Sequence, residues 1–147
     1  MEHEEYMRQA LELARLAMAE GEVPVGCAIV RDGAAVGRGR NRRETAQTAL
    51  GHAELEAIAQ ACRTLGGWRL AGCALYVTLE PCPMCAGAIV NARIPAVYYG
   101  AKDDKAGCCG SVLNLFEERF NHHPRIYGRV LEAECAALLQ EFFQSLR

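Results

Sequence analysis

The chain has 147 residues, of which 51% are hydrophobic and 23% charged, and its formal net charge at pH 7 is −2. This length and apolar content predict a globular protein with a single domain over residues 1–147. The charge excludes a protein that attracts nucleic acid through an overall basic field, so any phosphate contacts would need a local basic patch.

The first part of the sequence predicts a helix, a hairpin and a second helix. Asp32-Gly33 is a strong two-residue hairpin turn between apolar runs. Gly21 and Gly66 fit the C-terminal ends of the flanking helices. In chain order the predicted elements are a helix over Glu4–Glu20, strands over Val25–Arg31 and Ala34–Asn41, and a helix over His52–Leu65 with Thr48 as a candidate N-cap.

The second part predicts a parallel unit followed by a C-terminal helix. Strand, helix and strand within about 30 residues are typical of a parallel crossover. In chain order the elements are a strand over Cys73–Leu79, a helix over Pro83–Ala92, a strand over Ile94–Tyr99, a short helix within Val112–Phe120, a strand over Arg125–Leu131 and a helix over Glu132–Leu146. The whole pattern predicts an α/β three-layer sandwich, with a mixed sheet of five strands between helices.

Two cysteines lie at the start of the predicted third helix. Cys82 and Cys85 are three residues apart, so both thiols point to one side of the helix. Pro83 suits the first helical turn because its missing N–H has no partner there. The positive field of a helix N-terminus favours thiolates, and two thiolates at this spacing form half of a tetrahedral zinc site.

The other half of that site is predicted at His52-Ala53-Glu54, which begins another helix 30 residues earlier. His52 is the candidate third ligand, and no fourth Cys or His has a ligand-like spacing. Three protein ligands leave a position for water, which is typical of a catalytic zinc. Glu54 is placed to reach that water without binding the metal, and is the candidate catalytic acid and base.

His-x-Glu followed by Pro-Cys-x-x-Cys is the signature of the zinc-dependent nucleobase deaminases. The chain resembles the bacterial tRNA-specific adenosine deaminases in particular, within the cytidine and deoxycytidylate deaminase superfamily. The resemblance covers nearly the whole chain and is carried by Glu22–Gly26, Asn41-Arg42, His52–Glu54, Leu75–Ala88, Gly100–Asp103, Asn121-His122 and Glu134–Leu139.

The resemblance implies a cytidine-deaminase-like fold, one Zn²⁺ per chain and hydrolytic deamination of adenosine to inosine at the tRNA wobble position. It implies that the tRNA anticodon arm is the partner and that the protein is a homodimer, for which Met84, Ile89 and Val90 are candidate interface residues unless they are core. The candidate substrate-binding residues are Asn41, Ala53, Pro81, Asp103 and Asn121.

Two features of the sequence bear on RNA binding. Arginines cluster at the end of the second strand, either as a charged edge or as a phosphate-contacting patch, at Arg38, Arg40, Arg42 and Arg43. The loop before His52 reads Thr48-Ala49-Leu50-Gly51, whereas the family commonly has Asp-Pro-Thr-Ala. This departure weakens any transfer of substrate contacts from that loop.

The eight cysteines are expected to be reduced, because the acidic N-terminus lacks the features of a signal peptide and no apolar run is long enough to span a membrane. We therefore expect a cytoplasmic protein. Four cysteines lie within apolar patterns and are expected in the core, namely Cys27, Cys62, Cys73 and Cys135. The adjacent pair Cys108-Cys109 lies in a Gly-rich loop, and its role stays open.

Two alternatives remain beside the tRNA deaminase. The same signature occurs in deaminases of free nucleobases or nucleosides, such as guanine, adenosine or cytidine. A thiol–disulfide protein also places Cys-x-x-Cys between a strand and a helix, but it leaves His52 and Glu54 without a role.

Overall fold

The computed structural model describes residues 2–146. Four helices are α1 over Glu2–Ala19, α2 over Ala53–Leu65, α3 over Pro83–Asn91 and α4 over Glu132–Ser145. Five strands are β1 over Gly26–Arg31, β2 over Ala34–Arg40, β3 over Ala74–Leu79, β4 over Ala96–Ala101 and β5 over Arg125–Tyr127. A single 3₁₀ turn is found at Leu115–Glu117 within these residues.

The strands form one sheet in the order β2-β1-β3-β4-β5. Strand β1, the second in this order, is antiparallel to both β2 and β3, whereas β3, β4 and β5 are parallel to one another. One face packs on α1 and α4, and the other on α2 and α3. The predicted three-layer sandwich with a mixed five-stranded sheet is confirmed. None of the helices described over residues 2–146 combines the length and apolarity that crossing a bilayer requires.

The strand directions give the sheet two functionally different ends. Val30 pairs with Ala74, and Ala74 with Ala96, so the end of β1 lies beside the starts of β2, β3 and β4. We call this the turn end, because the β1–β2 hairpin turn lies there. At the opposite end, which we call the site end, Leu79 pairs with Ala101, and β2, β3 and β4 all terminate beside the start of β1.

The helix α2 lies unusually close to β2. A Cβ atom at Gly39 would lie 2.1 Å from the Ala53 carbonyl oxygen, and one at Gly37 would lie 2.2 Å from the Ala57 carbonyl oxygen. The two glycines, facing alanines on α2, therefore allow contact between backbones. This contact holds the first residue of α2 against the site end of the sheet.

One predicted strand end and one predicted helix cap differ clearly from the structure, whereas the other boundaries differ by at most two residues. β5 spans three residues instead of Arg125–Leu131, because Arg129 and Leu131 adopt left-handed φ angles of 67° and 52° that end an extended strand. Thr48 does not cap α2. Its hydroxyl oxygen accepts from the Leu50 N–H at 3.1 Å in a local turn, and the N-cap of α2 is His52.

Candidate active site

A cavity of about 180 Å³ opens at the site end of the sheet. Its wall combines residues that follow β2, β3 and β4 with the start of α2 and the segment before β1. The lining residues are Val23, Val25, Asn41, Arg43, His52, Ala53, Glu54, Leu79, Glu80, Cys82, Asp103 and Ala106.

Two of the predicted metal ligands occupy equivalent positions on two helices. His52 is the N-cap of α2 and Cys82 is the N-cap of α3, and both have extended backbone conformations. Neither side chain makes a capping hydrogen bond, and Pro83 occupies the first turn of α3. Both side chains are thus free to turn away from their own helices and toward each other.

The three predicted ligands lie together, with His52 and Cys82 on the cavity wall and Cys85 buried beside them. The His52 Nδ1 atom lies 3.6 Å from the Cys82 Sγ and 3.5 Å from the Cys85 Sγ. For Zn–S and Zn–N bonds of about 2.3 and 2.05 Å, the sulfur–nitrogen edge of a tetrahedron is about 3.6 Å. All eight cysteines are free thiols, so Cys82 and Cys85 are not joined to each other. The donor set and its spacing fit zinc.

The cluster already favours negative charge on one sulfur. The Cys85 thiol donates a hydrogen bond to Cys82, and this bond, with the contact to His52, lowers the pKa of Cys82 to about 4. The same contact with Cys82 raises the pKa of His52. Protons therefore compensate the Cys82 thiolate, and a divalent cation held by the same three atoms would replace them.

Glu54 lies in the first turn of α2, lines the cavity and is only 4% exposed. Burial raises the pKa of its carboxyl to about 7. A carboxyl in this range can both accept and donate a proton near neutral pH, unlike an ionised surface glutamate. The structure thus places Glu54 in the desolvated environment that a catalytic acid and base needs.

Three of the five predicted substrate-binding residues line the cavity: Asn41, Ala53 and Asp103. Asn41 is 6% exposed, and its Nδ2 donates to the Val23 carbonyl at 3.2 Å. Its Oδ1 accepts from the Arg43 N–H at 3.1 Å. The Asn41 amide therefore connects the two chain segments that form this wall of the cavity.

The other two predicted contacts are not among the residues, within 2–146, that line the cavity. Pro81 is buried, and its carbonyl accepts from the Cys108 N–H at 2.8 Å. Asn121 is exposed in the segment before β5. Their role in substrate binding stays a prediction.

The arginine cluster divides into separate environments. Arg40 pairs with Glu20 at 2.8 Å, and Arg42 with Glu56 at 3.8 Å. Arg43 lines the cavity, and the ion pairs found among residues 2–146 do not include it. Of the four arginines in this cluster, Arg43 is the one that lines the cavity.

Glu80, to which the sequence analysis gave no role, organises the opposite wall. It is 2% exposed, and its carboxylate accepts from the backbone N–H groups of Asp103, Cys109 and Ser111 at 3.0, 2.9 and 3.1 Å, and from the Ser111 hydroxyl. A Cβ atom at Gly107 would lie 2.3 Å from the Glu80 carboxyl carbon. The loop after β4 is thus wrapped around one buried anion. The sequence feature that could have indicated this role is an acidic residue at the end of an apolar strand.

The pair Cys108-Cys109 lies in the same loop and is buried, with exposures of 1% and 8%. Burial raises the pKa of both thiols. Their environment is that of core residues. Cys27, Cys73 and Cys135 are buried as predicted, and Cys62 is half-buried.

Comparisons with known proteins agree with this chemistry. The family model described as MafB19-like deaminase matches residues 1–147. A relative from Bacillus subtilis (strain 168), named tRNA-specific adenosine deaminase, is 50% identical over 143 residues, covering 97% of this chain and 89% of the relative.

Two solved structures resemble the chain closely. One, from "Biochemical and Structural Studies of A-to-I Editing by tRNA:A34 Deaminases at the Wobble Position of Transfer RNA", has a TM-score of 0.87 and 44% identity, covering 91% of this chain and 98% of that one. The other, a guanine deaminase from Bacillus subtilis, has a TM-score of 0.68 and 34% identity, covering 98% and 95%. The chain belongs to the MafB19-like deaminase family, alongside the tRNA-specific adenosine deaminases.

Proposed function

We propose that this protein is a zinc-dependent hydrolase that converts adenosine to inosine at the wobble position of tRNA. The observation that carries the proposal is a buried carboxyl, Glu54, which lines the same cavity as His52 and Cys82, two of three clustered zinc-type ligands. The names of the relatives support the choice of substrate, since the adenosine deaminase is 50% identical and the guanine deaminase 34%.

His52, Cys82 and Cys85 would hold one Zn²⁺ per chain. When bound at such a site, zinc lowers the pKa of a water toward neutrality and so makes a nucleophile available. With three protein ligands, a fourth position is left for that water.

Glu54 moves the protons of the reaction. Its carboxylate accepts one proton from the attacking water and delivers it to N1 as the oxygen adds to C6 of the adenine. The carboxylate then accepts the second proton from the new hydroxyl group and donates it to the amino group, which leaves as ammonia as the C6–N bond breaks and the C6=O bond forms. One water is consumed, and adenosine becomes inosine. The pKa of about 7 suits a group that serves as base and acid in turn.

The cavity has a volume of about 180 Å³, which can accommodate a single base but not folded RNA. The target nucleotide must therefore leave its stack and enter alone, as is general for enzymes that modify bases. Asn41, Asp103 and the backbone of Ala53 are proposed to orient the base, and Pro81 and Asn121 to contribute to substrate binding.

The proposed partner is the anticodon arm of tRNA, and the proposed compartment is the cytoplasm. We also propose that residues 1–147 act as one deaminase domain and that two copies form a homodimer. Of the interface candidates, Ile89 and Val90 lie in the core at 0% and 6% exposure, so they belong to the packing of α3. Met84 is half-buried and stays a candidate.

The test compares substrates with the zinc-loaded protein. An unmodified anticodon stem-loop with adenosine at the wobble position is offered beside the same RNA with guanosine there, free adenosine and free guanine. We expect inosine only in the first RNA, detected by nucleoside mass spectrometry. Turnover of free guanine or adenosine without turnover of the RNA would reject the proposal in favour of a small-molecule deaminase.

A further inference from the structure

Glu22 is a buried carboxylate outside the proposed chemistry. It is 1% exposed and lies in the segment between α1 and β1. Its Oε1 accepts from the Glu44 N–H at 3.2 Å, and its Oε2 accepts from the Thr45 N–H at 2.7 Å. Both donors are backbone groups of the loop that follows β2. Among the described residues no arginine or lysine pairs with Glu22.

The residues next to these contacts form the cavity wall. Val23, adjacent to Glu22, receives the Nδ2 hydrogen bond of Asn41, and the Asn41 Oδ1 accepts from the N–H of Arg43. Asn41, Arg43 and Val23 all line the cavity. Glu22 thus holds the Glu44 and Thr45 end of a turn, and two other residues of that turn, Asn41 and Arg43, face the cavity.

We propose that Glu22 is a positioning residue, which holds the turn of residues 41–45 so that Asn41 and Arg43 face the substrate. The inference rests on the proposed function for its substrate, an RNA carrying the target adenosine. Glu22 itself does not touch the base.

A carboxylate is suited to this role because it only accepts hydrogen bonds. A glutamine of the same shape would point an NH₂ group at one of the two backbone donors, which removes one bond and opposes two donors. The loop would then lose its fixed position. Once the loop is released, the backbone of Arg43 is no longer held and its cation no longer has a fixed position toward the RNA. The affinity for the substrate should therefore fall, while the surroundings of Glu54 stay unchanged.

The experiment compares Glu22→Gln with Glu12→Gln, a matched control on the exposed side of α1. Kinetic constants are measured on the anticodon stem-loop, zinc content by elemental analysis, and amide hydrogen exchange by NMR. We expect E22Q to raise KM about tenfold, which corresponds to one charge-assisted hydrogen bond, with kcat within about twofold of the wild type. Zinc content should stay at one per chain, and the Glu44 and Thr45 amides should lose protection. E12Q should match the wild type in every measurement.

A wild-type KM in E22Q, or protected Glu44 and Thr45 amides, would overturn the proposal. An equal loss of kcat and zinc would also overturn it, because that result indicates general structural damage. If E22Q does not fold, Glu22→Asp, which keeps the charge and shortens the side chain, replaces it and should give a smaller rise in KM with the same amides exposed. If the wild type makes no inosine in RNA, the proposed function fails, while the exchange measurement still tests the anchoring of the loop.

Discussion

Replacing Gly39 by alanine should disable the proposed metal centre without altering any side chain in it. The new Cβ would lie 2.1 Å from the Ala53 carbonyl oxygen and 2.8 Å from the Ala57 nitrogen. Ordinary contact begins at 3.4 Å, so the first turn of α2 must recede by about 1.3 Å. His52 immediately precedes that turn, and zinc sites tolerate deviations of only about 0.2 Å in ligand distance.

We expect two consequences of Gly39→Ala. Zinc affinity and activity should fall, the activity by about 100-fold, as is usual for a displacement of about 1 Å at a catalytic group. The free energy of unfolding should fall by about 1–3 kcal/mol from overpacking. Elemental analysis after dialysis, inosine formation and thermal unfolding measure these quantities.

The matched control is Gly67→Ala, because a Cβ atom at Gly67 meets nothing within 4 Å. This variant should retain zinc, activity and stability. A Gly39→Ala protein that keeps one zinc per chain and wild-type turnover would refute the reasoning, since it would show that α2 adapts without moving His52.

Further measurements test other parts of the site. Glu54→Gln should retain zinc but lose about 10³-fold in kcat, which single-turnover kinetics would show; activity within tenfold of wild type would remove Glu54 from the proton steps. Removal of the metal with a chelator should abolish activity, and added zinc should restore it. Activity that persists after chelation would show that the three candidate ligands do not hold a catalytic metal. Glu80→Gln should lower the free energy of unfolding by about 1–3 kcal/mol in urea titrations, because two of the four donors to this carboxylate would face an NH₂ group instead of an acceptor. Burial raises the pKa of Glu22, but the Thr45 and Glu44 N–H groups outweigh it and hold the pKa below its ordinary value. The stability difference between wild type and E22Q should therefore be constant above about pH 5 and shrink as pH falls below about 4; a gap that grows in acid contradicts this sign.

Part of the candidate metal site could be predicted because its geometry is local. Cys82 and Cys85 are three residues apart at the start of α3, so their spacing places both thiols on one side. His52 and Glu54 lie together at the start of α2. The remaining step, that the two helix starts meet, came from the chemistry of zinc and from the family resemblance.

The carboxylate anchors were not predictable in the same way. Glu22 binds backbone groups 22 and 23 residues away, and Glu80 binds groups 23 to 31 residues away. Backbone N–H donors carry no sequence signature. An acidic residue within an apolar stretch therefore indicates that its carboxylate needs hydrogen-bond donors, but the sequence does not identify those donors. The early end of β5 was hidden for a similar reason, since Arg129 and Leu131 do not ordinarily favour left-handed φ angles.

The separation of the sheet into two ends has a practical consequence for handling the protein. The Asp32-Gly33 turn and the Gly66-Gly67 loop lie at the turn end, away from the cavity, and the Asp32 side chain is 94% exposed. A fluorophore or a surface tether attached at Asp32 would leave the mouth of the cavity unobstructed. Immobilised in this orientation, every molecule would present the same side to incoming RNA, which suits single-molecule observation of capture and release.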